Sequence, residues 1–347
     1  MGFTPEQQEW MAQQNQATAL FESQFRSLFA DDSDPLTFRL ISETQARPFA
    51  EYEETGYLIF SEHFGFNSQA AKLTMAKTLP EGVDLVIYTG SKEPTSVQAL
   101  KKKFQSVIAN DRIKIVYLPS SDRGFWTRDG VPVPVLRTSS SLEEIFTLVD
   151  ARYYHLFEPD EPISKLFNAE LTRHSYYFEG GNFVANALGD CLVVNTDAAN
   201  KIPDDIFSDH YGCQRLTRLP YIRGIGHADE TVKFLDEKTV ITDESRYVDI
   251  LKDKGFEVAM LPRAQNMYET YVNSLFINGT VYVPIFGHVE DDQQALQVYQ
   301  DAGFENVIGL DSKTLSNRGM GSIHCITMTY PPVSINELLD FMGAELL

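Results

Sequence analysis

Residues 281–310 read VYVPIFGHVEDDQQALQVYQDAGFENVIGL and contain the unit from which the rest of the chain is built. The apolar run over residues 281–286 predicts a buried strand. Residues 291–302 predict a helix that ends at Gly303, because glycine adopts the left-handed conformation that favours a helix end. A second apolar run, residues 307–310, predicts the next strand. The stretch therefore predicts one strand–helix–strand unit.

Further copies of this unit follow the same pattern elsewhere in the chain. Three of the second strands end in a Leu-Pro pair, and proline stops a strand and starts a loop. Copies that recur at a fixed period of about 20–50 residues indicate a repeat architecture, in which equivalent positions of the copies converge in space. The copies lie over residues 83–118 and 239–261, with a weaker one over 192–219 and the least regular over 131–178.

Polar residues follow the repeated units at even spacing. Asp129, Glu179, His227, Asn273 and Cys325 are separated by 50, 48, 46 and 52 residues. If five units close into a ring, these five side chains meet near its axis. The sequence therefore predicts an α/β fold with pseudo-fivefold strand–helix–strand repeats and one site to which all of them contribute.

Composition limits the classes of protein to which the chain can belong. With 347 residues, 43% of them hydrophobic, it can bury a large core without covalent staples. Length alone suggests two domains, but the repeats favour a single catalytic domain over residues 41–347, preceded by a helical extension over residues 1–40. A formal net charge of −20 argues against a nucleic-acid partner, because phosphate contacts need clustered Lys and Arg.

Neither a membrane span nor an export signal is predicted. The chain has no run of 18 or more apolar residues, so we expect no membrane partner. The N-terminal stretch MGFTPEQQEWMAQQNQ lacks a basic start and an apolar segment, which favours a cytoplasmic location. The sequence leaves open whether the chain forms a homo-oligomer.

The extension at residues 1–35 reads as an appended helix. Thr4-Pro5-Glu6-Gln7 has the pattern of a capping box, with proline at the first helical position. The apolar residues on one predicted face are Phe21, Phe25, Leu28 and Phe29. Residues 31–35 would end the helix. We interpret it as a helix packed on the main body, with a partner-binding helix as the alternative.

The predicted ring holds the residue types that a guanidinium substrate requires. A guanidinium is planar and cationic, so paired carboxylates such as Asp129 and Asp229 suit it. Its carbon is a poor electrophile, which calls for a strong nucleophile such as the thiolate of Cys325. A histidine such as His227 can protonate leaving ammonia and later deprotonate water. Glu179 supplies a third carboxylate in the same ring.

Other reactive residues are interpreted as structural. His288 lies between a first strand and its helix, away from the predicted centre. Cys191 and Cys213 fall within one unit, and three cysteines are too few and too scattered for a disulfide framework or a zinc site, so we expect both to be buried and inert. If the residues around Cys325 form a strand, His324 points to the opposite face.

These motifs, in this order, resemble the guanidino-group-modifying (pentein) superfamily, which has the five-bladed α/β propeller fold. Agmatine deiminases and the bacterial type of peptidylarginine deiminase are the most similar members. The resemblance covers about residues 45–332, and its motifs are specific to the superfamily but much less specific for one substrate. They are RPFAEYEETGYLIF (residues 47–60), WTRDG (126–130), EGGN (179–182), GHADE (226–230), YVNSLFINGTVYVPIFG (271–287) and GSIHCIT (321–327).

The resemblance implies a role for each matching residue. Cys325 would attack the guanidinium carbon and form a covalent amidino-thioether. His227 would protonate departing ammonia and then activate water. Asp129 and Asp229 would hold the guanidinium nitrogens, and Glu179 would orient or polarise His227.

Two further residues would complete the site. Asn273 matches an asparagine that lies near the nucleophile in the family, and Trp126 would line the pocket beside the cation, where an aromatic face is favourable. No metal and no organic cofactor is implied. The implied partner is a cationic guanidino small molecule or an arginine side chain.

The segment around the nucleophile departs from the agmatine enzymes. Those enzymes usually have a glycine-rich run with Asn before Ile-His-Cys, whereas this chain has Arg318-Gly319-Met320-Gly321-Ser322. Arg318 would suit a substrate carboxylate, as in free arginine or a C-terminal arginine. The alternative is that Arg318 is a solvent-exposed loop residue.

The sequence thus predicts a deiminase that converts a guanidino group to a ureido product and ammonia. Agmatine is the leading substrate, which would place the chain in polyamine biosynthesis, followed by free arginine and then peptidyl-arginine. One alternative is an amidinotransferase with the same Cys and His. The others are a catalytically silent guanidino-binding or interaction protein and, least favoured by the histidine spacing, a metallohydrolase.

Overall fold

The computed structural model describes residues 5–29, 45–138, 144–336 and 345–347. Over these residues the chain is a mixed α/β protein, as the sequence predicts. None of the helices described is long and apolar enough to cross a membrane. The helices are α1 (Pro5–Phe29), α2 (Gln69–Lys77), α3 (Pro94–Gln105), α4 (Thr127–Gly130), α5 (Asp160–Leu166), α6 (Asp204–Tyr211), α7 (Val248–Asp253), α8 (Val289–Asp301) and α9 (Lys313–Gly319).

The strands fall along the whole described chain and alternate with the helices. In chain order they are β1 (Gln45–Pro48), β2 (Tyr57–Ser61), β3 (Asp84–Thr89), β4 (Ile113–Tyr117), β5 (Val133–Thr138), β6 (Glu144–Arg152), β7 (Glu170–Tyr177), β8 (Val184–Ala185), β9 (Asp190–Asn195), β10 (Arg215–Pro220), β11 (Val232–Phe234), β12 (Thr239–Thr242), β13 (Glu257–Met260), β14 (Leu275–Ile277), β15 (Thr280–Ile285), β16 (Asn306–Asp311), β17 (Met328–Tyr330) and β18 (Glu345–Leu346).

Within the described residues these strands form five sheets. Their strand orders are β17-β2-β3-β4-β18, β1-β5-β6-β7, β10-β9-β8, β11-β12-β13 and β14-β15-β16. Each sheet contains a parallel pair joined by a helical crossover, for example β3 and β4 through α3. Parallel neighbours need such a crossover because the chain must return to the same end of the sheet.

The unit predicted over residues 281–310 is confirmed. β15 pairs in parallel with β16 in the register Thr280↔Asn306, and α8 connects them. The side chains of β15 from Thr280 to Pro284 are buried, as expected for a strand covered on both faces. The other predicted copies correspond to β3–α3–β4, β6–α5–β7, β9–α6–β10 and β12–α7–β13.

Apolar clusters fix each sheet against its neighbouring helices. Phe60 of β2 and Phe104 of α3 are fully buried with their ring centroids 5.7 Å apart. Burying one such side chain contributes roughly 1.5–3 kcal/mol. Proline at the start of α3 and two lysines in its last turn favour the helix that carries Phe104.

Helix α1 lies against β7. Asn15 is fully buried, and its amide donates to the carbonyls of Tyr177 and Ala198 at 3.1 Å while accepting from the Tyr177 N–H at 2.9 Å. Met11 is buried on the same face. Phe21, expected to pack, is 66% exposed. Thr4, the side chains of Phe25, Leu28 and Phe29, and residues 31–35 lie outside the described part of the chain.

Cys191 and Cys213 form a disulfide, which corrects the expectation that both are inert and unpaired. Cys191 lies on β9, and Cys213 lies two residues before β10. These two strands are parallel neighbours, so residues 22 apart in sequence are brought within a Cα–Cα distance of 5.7 Å. Both cysteines are buried, as predicted.

Candidate functional site

One small cavity gathers most of the predicted site residues. Asp129 comes from α4, Glu179 from the turn after β7, His227 from the segment after β10, and Cys325 from the segment after α9. The cavity has a volume of about 20 Å³. Its walls also include Trp126, Tyr153, Tyr154, His155, Ile225, Gly319, Met320 and Gly321. Four chain segments that follow different sheets therefore meet at one point.

Cys325 lies in a turn between α9 and β17, not in a strand. Its side chain is buried, and the Nδ2 amide of Asn273 donates to its Sγ at 3.2 Å. Burial is the largest cause that raises the thiol pKa well above its ordinary value, and the charges of Asp229, Glu230 and Asp129 raise it further. The thiol of Cys325 is therefore protonated at neutral pH.

His227 is held by two carboxylates. Its Nε2 donates to Glu179 Oε2 at 2.9 Å, and its Nδ1 lies 3.6 Å from Asp129 Oδ1. Burial alone would lower the pKa of His227, but the charge of Asp129, the hydrogen bond that His227 donates to Glu179 and the charge of Asp229 outweigh it and raise the pKa to about 10. His227 is therefore an imidazolium at neutral pH and can donate a proton.

Asp129 is positioned by the glycine turn of the EGGN motif. The Gly181 N–H donates to Asp129 Oδ1 at 2.9 Å. A Cβ at Gly181 would lie 2.6 Å from His227 Nδ1, 2.8 Å from Asp129 Oδ1 and 3.3 Å from Asp229 Oδ1, so only glycine leaves these three atoms in place. Burial raises the pKa of Asp129 to about 7, despite the opposing charge of His227.

Asp229 lies in a single turn of 3-10 helix over residues 228–230. Its Oδ2 accepts a hydrogen bond from Nδ1 of His324 at 2.6 Å, whereas its buried Oδ1 has no hydrogen-bond partner. His324 therefore faces the site, which corrects the prediction that it points away from Cys325. The alternation argument failed because residues 323–326 form a turn.

Of two other predicted substrate-binding residues, Trp126 lines the cavity and Arg318 does not. Trp126 is half-buried, stacks on Phe66 with a centroid distance of 6.0 Å, and lines the cavity beside Gly321. Arg318 is exposed in the last turn of α9 and is not among the residues that line the described cavities near Cys325.

A larger cavity of about 190 Å³ adjoins the first one and shares His227, Glu179, Tyr154 and Ile225 with it. Gln8 and Met11 of α1 form part of its wall. Its other polar or aromatic lining residues are Arg152, Tyr177, Phe178, Asn182, Asn195, Thr196, Asp197 and Tyr221. The lining of this cavity therefore includes one arginine, Arg152, and two carboxylates, Glu179 and Asp197.

Asp129, Glu179 and His227 also present ligand atoms that all lie within 4.8 Å of one another, which is a spacing that could hold a metal ion. The same atoms form the Glu179–His227 hydrogen bond and accept from Gly181. Two carboxylates and one imidazole suit a borderline divalent ion such as zinc. A chelator test distinguishes a metal centre from a hydrogen-bonded triad.

The site combines a thiol, an imidazole and carboxylates. The thiol of Cys325 can serve as a nucleophile, the imidazole of His227 can donate or accept a proton, and the carboxylates of Asp129 and Asp229 can accept hydrogen bonds from a cation. Such a combination is typical of covalent acyl or amidino transfer, in which a thiolate attacks a carbon that fixed polar groups hold in place.

Comparison with known proteins agrees with this chemistry. Residues 63–331 match the sequence model of the Porphyromonas-type peptidyl-arginine deiminase family. That match spans most of the chain and includes the cavity residues from Trp126 to Cys325. No curated protein sequence matches the chain.

Several solved structures share the fold. Agmatine deiminase from C. jejuni superposes with a TM-score of 0.69 at 18% identity, covering 87% of this chain and all of that one. A putative arginine deiminase from Porphyromonas gingivalis gives 0.66 at 19% identity, covering 82% and 98%. Agmatine deiminase of Enterococcus faecalis gives 0.64 at 16% identity, covering 83% and 96%.

Proposed function

Because the chain belongs to the Porphyromonas-type peptidyl-arginine deiminase family, within the guanidino-modifying pentein superfamily, we propose that it hydrolyses a guanidino group to a ureido group and ammonia. The observation that carries the proposal is the shared cavity of Cys325, His227, Asp129 and Glu179. The partnerless Oδ1 of Asp229 adds a second carboxylate oxygen close to Asp129 Oδ1.

The two aspartates hold the substrate by its nitrogens. Asp129 Oδ1 and Asp229 Oδ1 both lie near the Gly181 backbone, so one planar cation can donate to both. Charge-assisted pairing offsets the cost of burying the guanidinium, and it removes the repulsion between the two carboxylates. This grip leaves the guanidinium carbon facing the Cys325 side of the cavity.

The reaction then proceeds in two halves. The Cys325 thiolate attacks the guanidinium carbon, and the tetrahedral adduct expels ammonia, which takes its proton from His227. The product of this half is an amidino-thioether on Cys325. His227, now neutral, removes a proton from water, which attacks the same carbon and releases the ureido product and the thiolate.

The thiolate forms only when the substrate is bound. In the free protein burial and three nearby carboxylates keep the pKa of Cys325 high. A guanidinium held by Asp129 and Asp229 neutralises two of those charges and adds a cation beside the sulfur, so that the thiol of Cys325 releases its proton to solvent. Bound substrate thereby promotes its own attack. A thiol pKa that is unchanged by a bound guanidinium analogue would contradict this step.

Agmatine is the first substrate to test, followed by free arginine and peptidyl-arginine. Arg318 is exposed and is not among the residues that line the two cavities, which weakens it as a partner for a substrate carboxylate. Arg152 lines the larger cavity next to His227 and is better placed. If arginine is turned over, Arg152→Gln raises the KM for arginine and leaves that for agmatine unchanged.

The five sheets are most simply arranged as the blades of an α/β propeller around this cavity. Segments that follow different sheets deliver Asp129, Glu179, His227 and Cys325 to one point, as a closed ring of repeats would. On this arrangement residues 41–347 act as one catalytic domain, and α1 is an extension that contributes to the wall of the larger cavity.

The test is an assay of ammonia and ureido product with agmatine, L-arginine and a blocked arginine peptide. Turnover of one of them that is abolished in Cys325→Ala supports the proposal. An added acceptor amine that yields a new guanidino compound indicates an amidinotransferase instead. Loss of activity on chelation, restored by a divalent ion, would indicate a metallohydrolase.

The cytoplasmic location expected from the sequence stays a prediction, and the Cys191–Cys213 disulfide is an observation that bears on it. Disulfides persist in oxidising compartments and are rare in the cytosol. We propose that a count of free thiols in the protein from its native cells decides the location. One free thiol indicates an oxidising compartment, and three free thiols indicate the cytoplasm.

A further inference from the structure

His324 lies between two carboxylates that come from distant parts of the chain. Its Nδ1 is 2.6 Å from Asp229 Oδ2, and its Nε2 is 2.8 Å from Glu51 Oε2. The ring is 3% exposed. Ionised carboxylates only accept hydrogen bonds, so both ring nitrogens must donate. The ring of His324 therefore bridges Asp229 and Glu51.

Glu51 is fixed by two other groups besides His324. It lies in the segment between β1 and β2, and its oxygens accept from the Phe276 N–H at 2.8 Å and from Lys233 Nζ at 2.8 and 2.9 Å. Burial opposes the ionisation of Glu51, but the charges of His324 and Lys233 outweigh it and lower its pKa. Glu51 is therefore a fixed anion behind the histidine.

The far end of this chain of hydrogen bonds is Asp229. His324 occupies its Oδ2, so the carboxylate cannot rotate without losing a short, charge-assisted hydrogen bond. The other oxygen, Oδ1, is buried without a partner and lies near the Gly181 backbone, next to Asp129 Oδ1. Burial opposes ionisation here too, and the bond and charge of His324 outweigh it and lower the pKa of Asp229.

We propose that Glu51 and His324 are positioning residues that hold Asp229 in one rotamer, with Oδ1 aimed at the guanidinium of the substrate. This inference rests on the proposed function. It assigns a role to a glutamate 178 positions before Asp229 and to the histidine next to the nucleophile.

Charged groups of both signs surround His324. Asp229 and Glu51 contact it directly, and Cys325 is its chain neighbour. Arg128 and Lys233 line a cavity of about 50 Å³ together with His324 and Glu51. Lys233 contacts Glu51 directly, whereas the charge of Arg128 acts on both Glu51 and Asp229. His324 is hydrogen-bonded to both carboxylates.

The proposal can be tested by NMR and by ligand binding. In ¹⁵N-histidine-labelled protein at neutral pH, both ring nitrogens of His324 should carry protons. In a Cys325→Ser background, which binds substrate without turning it over, His324→Gln should weaken agmatine or arginine binding roughly 10- to 100-fold, the range typical for loss of an outer hydrogen-bond partner. In the protein with Cys325 intact, KM should rise more than kcat falls.

His288→Gln is the matched control. His288 donates from Nε2 to Glu269 at 2.9 Å, so the variant removes a similar histidine–carboxylate bond that does not involve Asp229. Its ligand affinity should stay within about twofold of the parent. Because Glu51→Gln leaves Lys233 buried without its anion, the double variant Glu51→Gln/Lys233→Met tests the same role with less risk to folding.

The outcomes separate the positioning role from the proposed function. A neutral His324 ring, or unchanged affinity in a folded His324→Gln variant, overturns the positioning role alone. Failure of the parent protein to bind or convert any of the three guanidino substrates overturns the proposed function and the positioning role together. Equal weakening in His288→Gln would show a general loss of structure and would also overturn it.

Discussion

Replacing Asn273 with alanine should separate the activation of the thiol from the binding of the substrate. Asn273 is fully buried, and its Nδ2 donates to Cys325 Sγ and to the Asp229 carbonyl, each at 3.2 Å. Its Oδ1 accepts from the His324 N–H at 3.1 Å. The hydrogen bond from Asn273 Nδ2 to Cys325 Sγ strengthens when the sulfur becomes a thiolate, so losing it should mainly slow the chemical step.

The expected magnitude follows from the charge on the sulfur. A hydrogen bond to a charged group contributes about 1.5–3 kcal/mol, which corresponds to roughly a 10- to 150-fold loss in kcat/KM at neutral pH. The thiol pKa should rise by about one to two units. Both quantities can be measured, the first from ureido product and the second from the pH dependence of alkylation by a haloacetamide.

Asn186→Ala is the control for the loss of buried hydrogen bonds. Asn186 is also fully buried, and its amide donates to Asp190 Oδ2 and to the Glu237 carbonyl, each at 2.9 Å. We expect this variant to be destabilised but to keep the kcat/KM of its folded fraction. A less than threefold loss in Asn273→Ala, or an equal loss in both variants, would refute the role of Asn273.

The remaining predictions concern pH, the glycine turn and α1. The kcat/KM should fall below about pH 7, because Asp129 becomes protonated and no longer pairs with the cation. It should also fall above about pH 10, because His227 loses the proton that it donates to the leaving ammonia. A flat profile between pH 6 and 8 would contradict this. Gly181→Ala should reduce kcat/KM about 100-fold or more, because the added Cβ would displace His227. Gly309→Ala on β16 is the control and should leave kcat/KM unchanged, because the added Cβ would meet the Ile285 side chain. Asn15→Ala should lower the free energy of unfolding by roughly 1–3 kcal/mol, because it leaves the backbone N–H and carbonyl of Tyr177 in β7 without these hydrogen bonds. An unchanged denaturant midpoint would contradict the docking of α1.

The repeat was readable in the sequence because each unit buries its strands and exposes its helices. The apolar runs at residues 113–118 and 281–286 differ from β4 and β15 by one residue at most at either end. The even spacing of Asp129, Glu179, His227 and Cys325 identified residues that line one cavity. The sequence period predicts which residues lie close together, because residues at matching positions of successive repeats converge in space.

What the sequence did not reveal depends on turns and on pairing across the sheets. His324 was assigned to the wrong face because a turn, unlike a strand, does not alternate its side chains. The Cys191–Cys213 disulfide depends on β9 and β10 being parallel neighbours, which the spacing of two cysteines does not show. Glu51 lay within a recognised motif, but its partners Lys233 and Phe276 are 182 and 225 residues away.

The most direct test of the account is to trap the intermediate. The protein is mixed with agmatine, arginine or an arginine peptide, quenched in acid within the first turnovers, digested and analysed by mass spectrometry. We predict an adduct on Cys325 equal in mass to the substrate less ammonia, absent from the Cys325→Ser variant. Ureido product that forms with no adduct at Cys325, or that still forms in Cys325→Ser, would show that this cysteine is not the nucleophile.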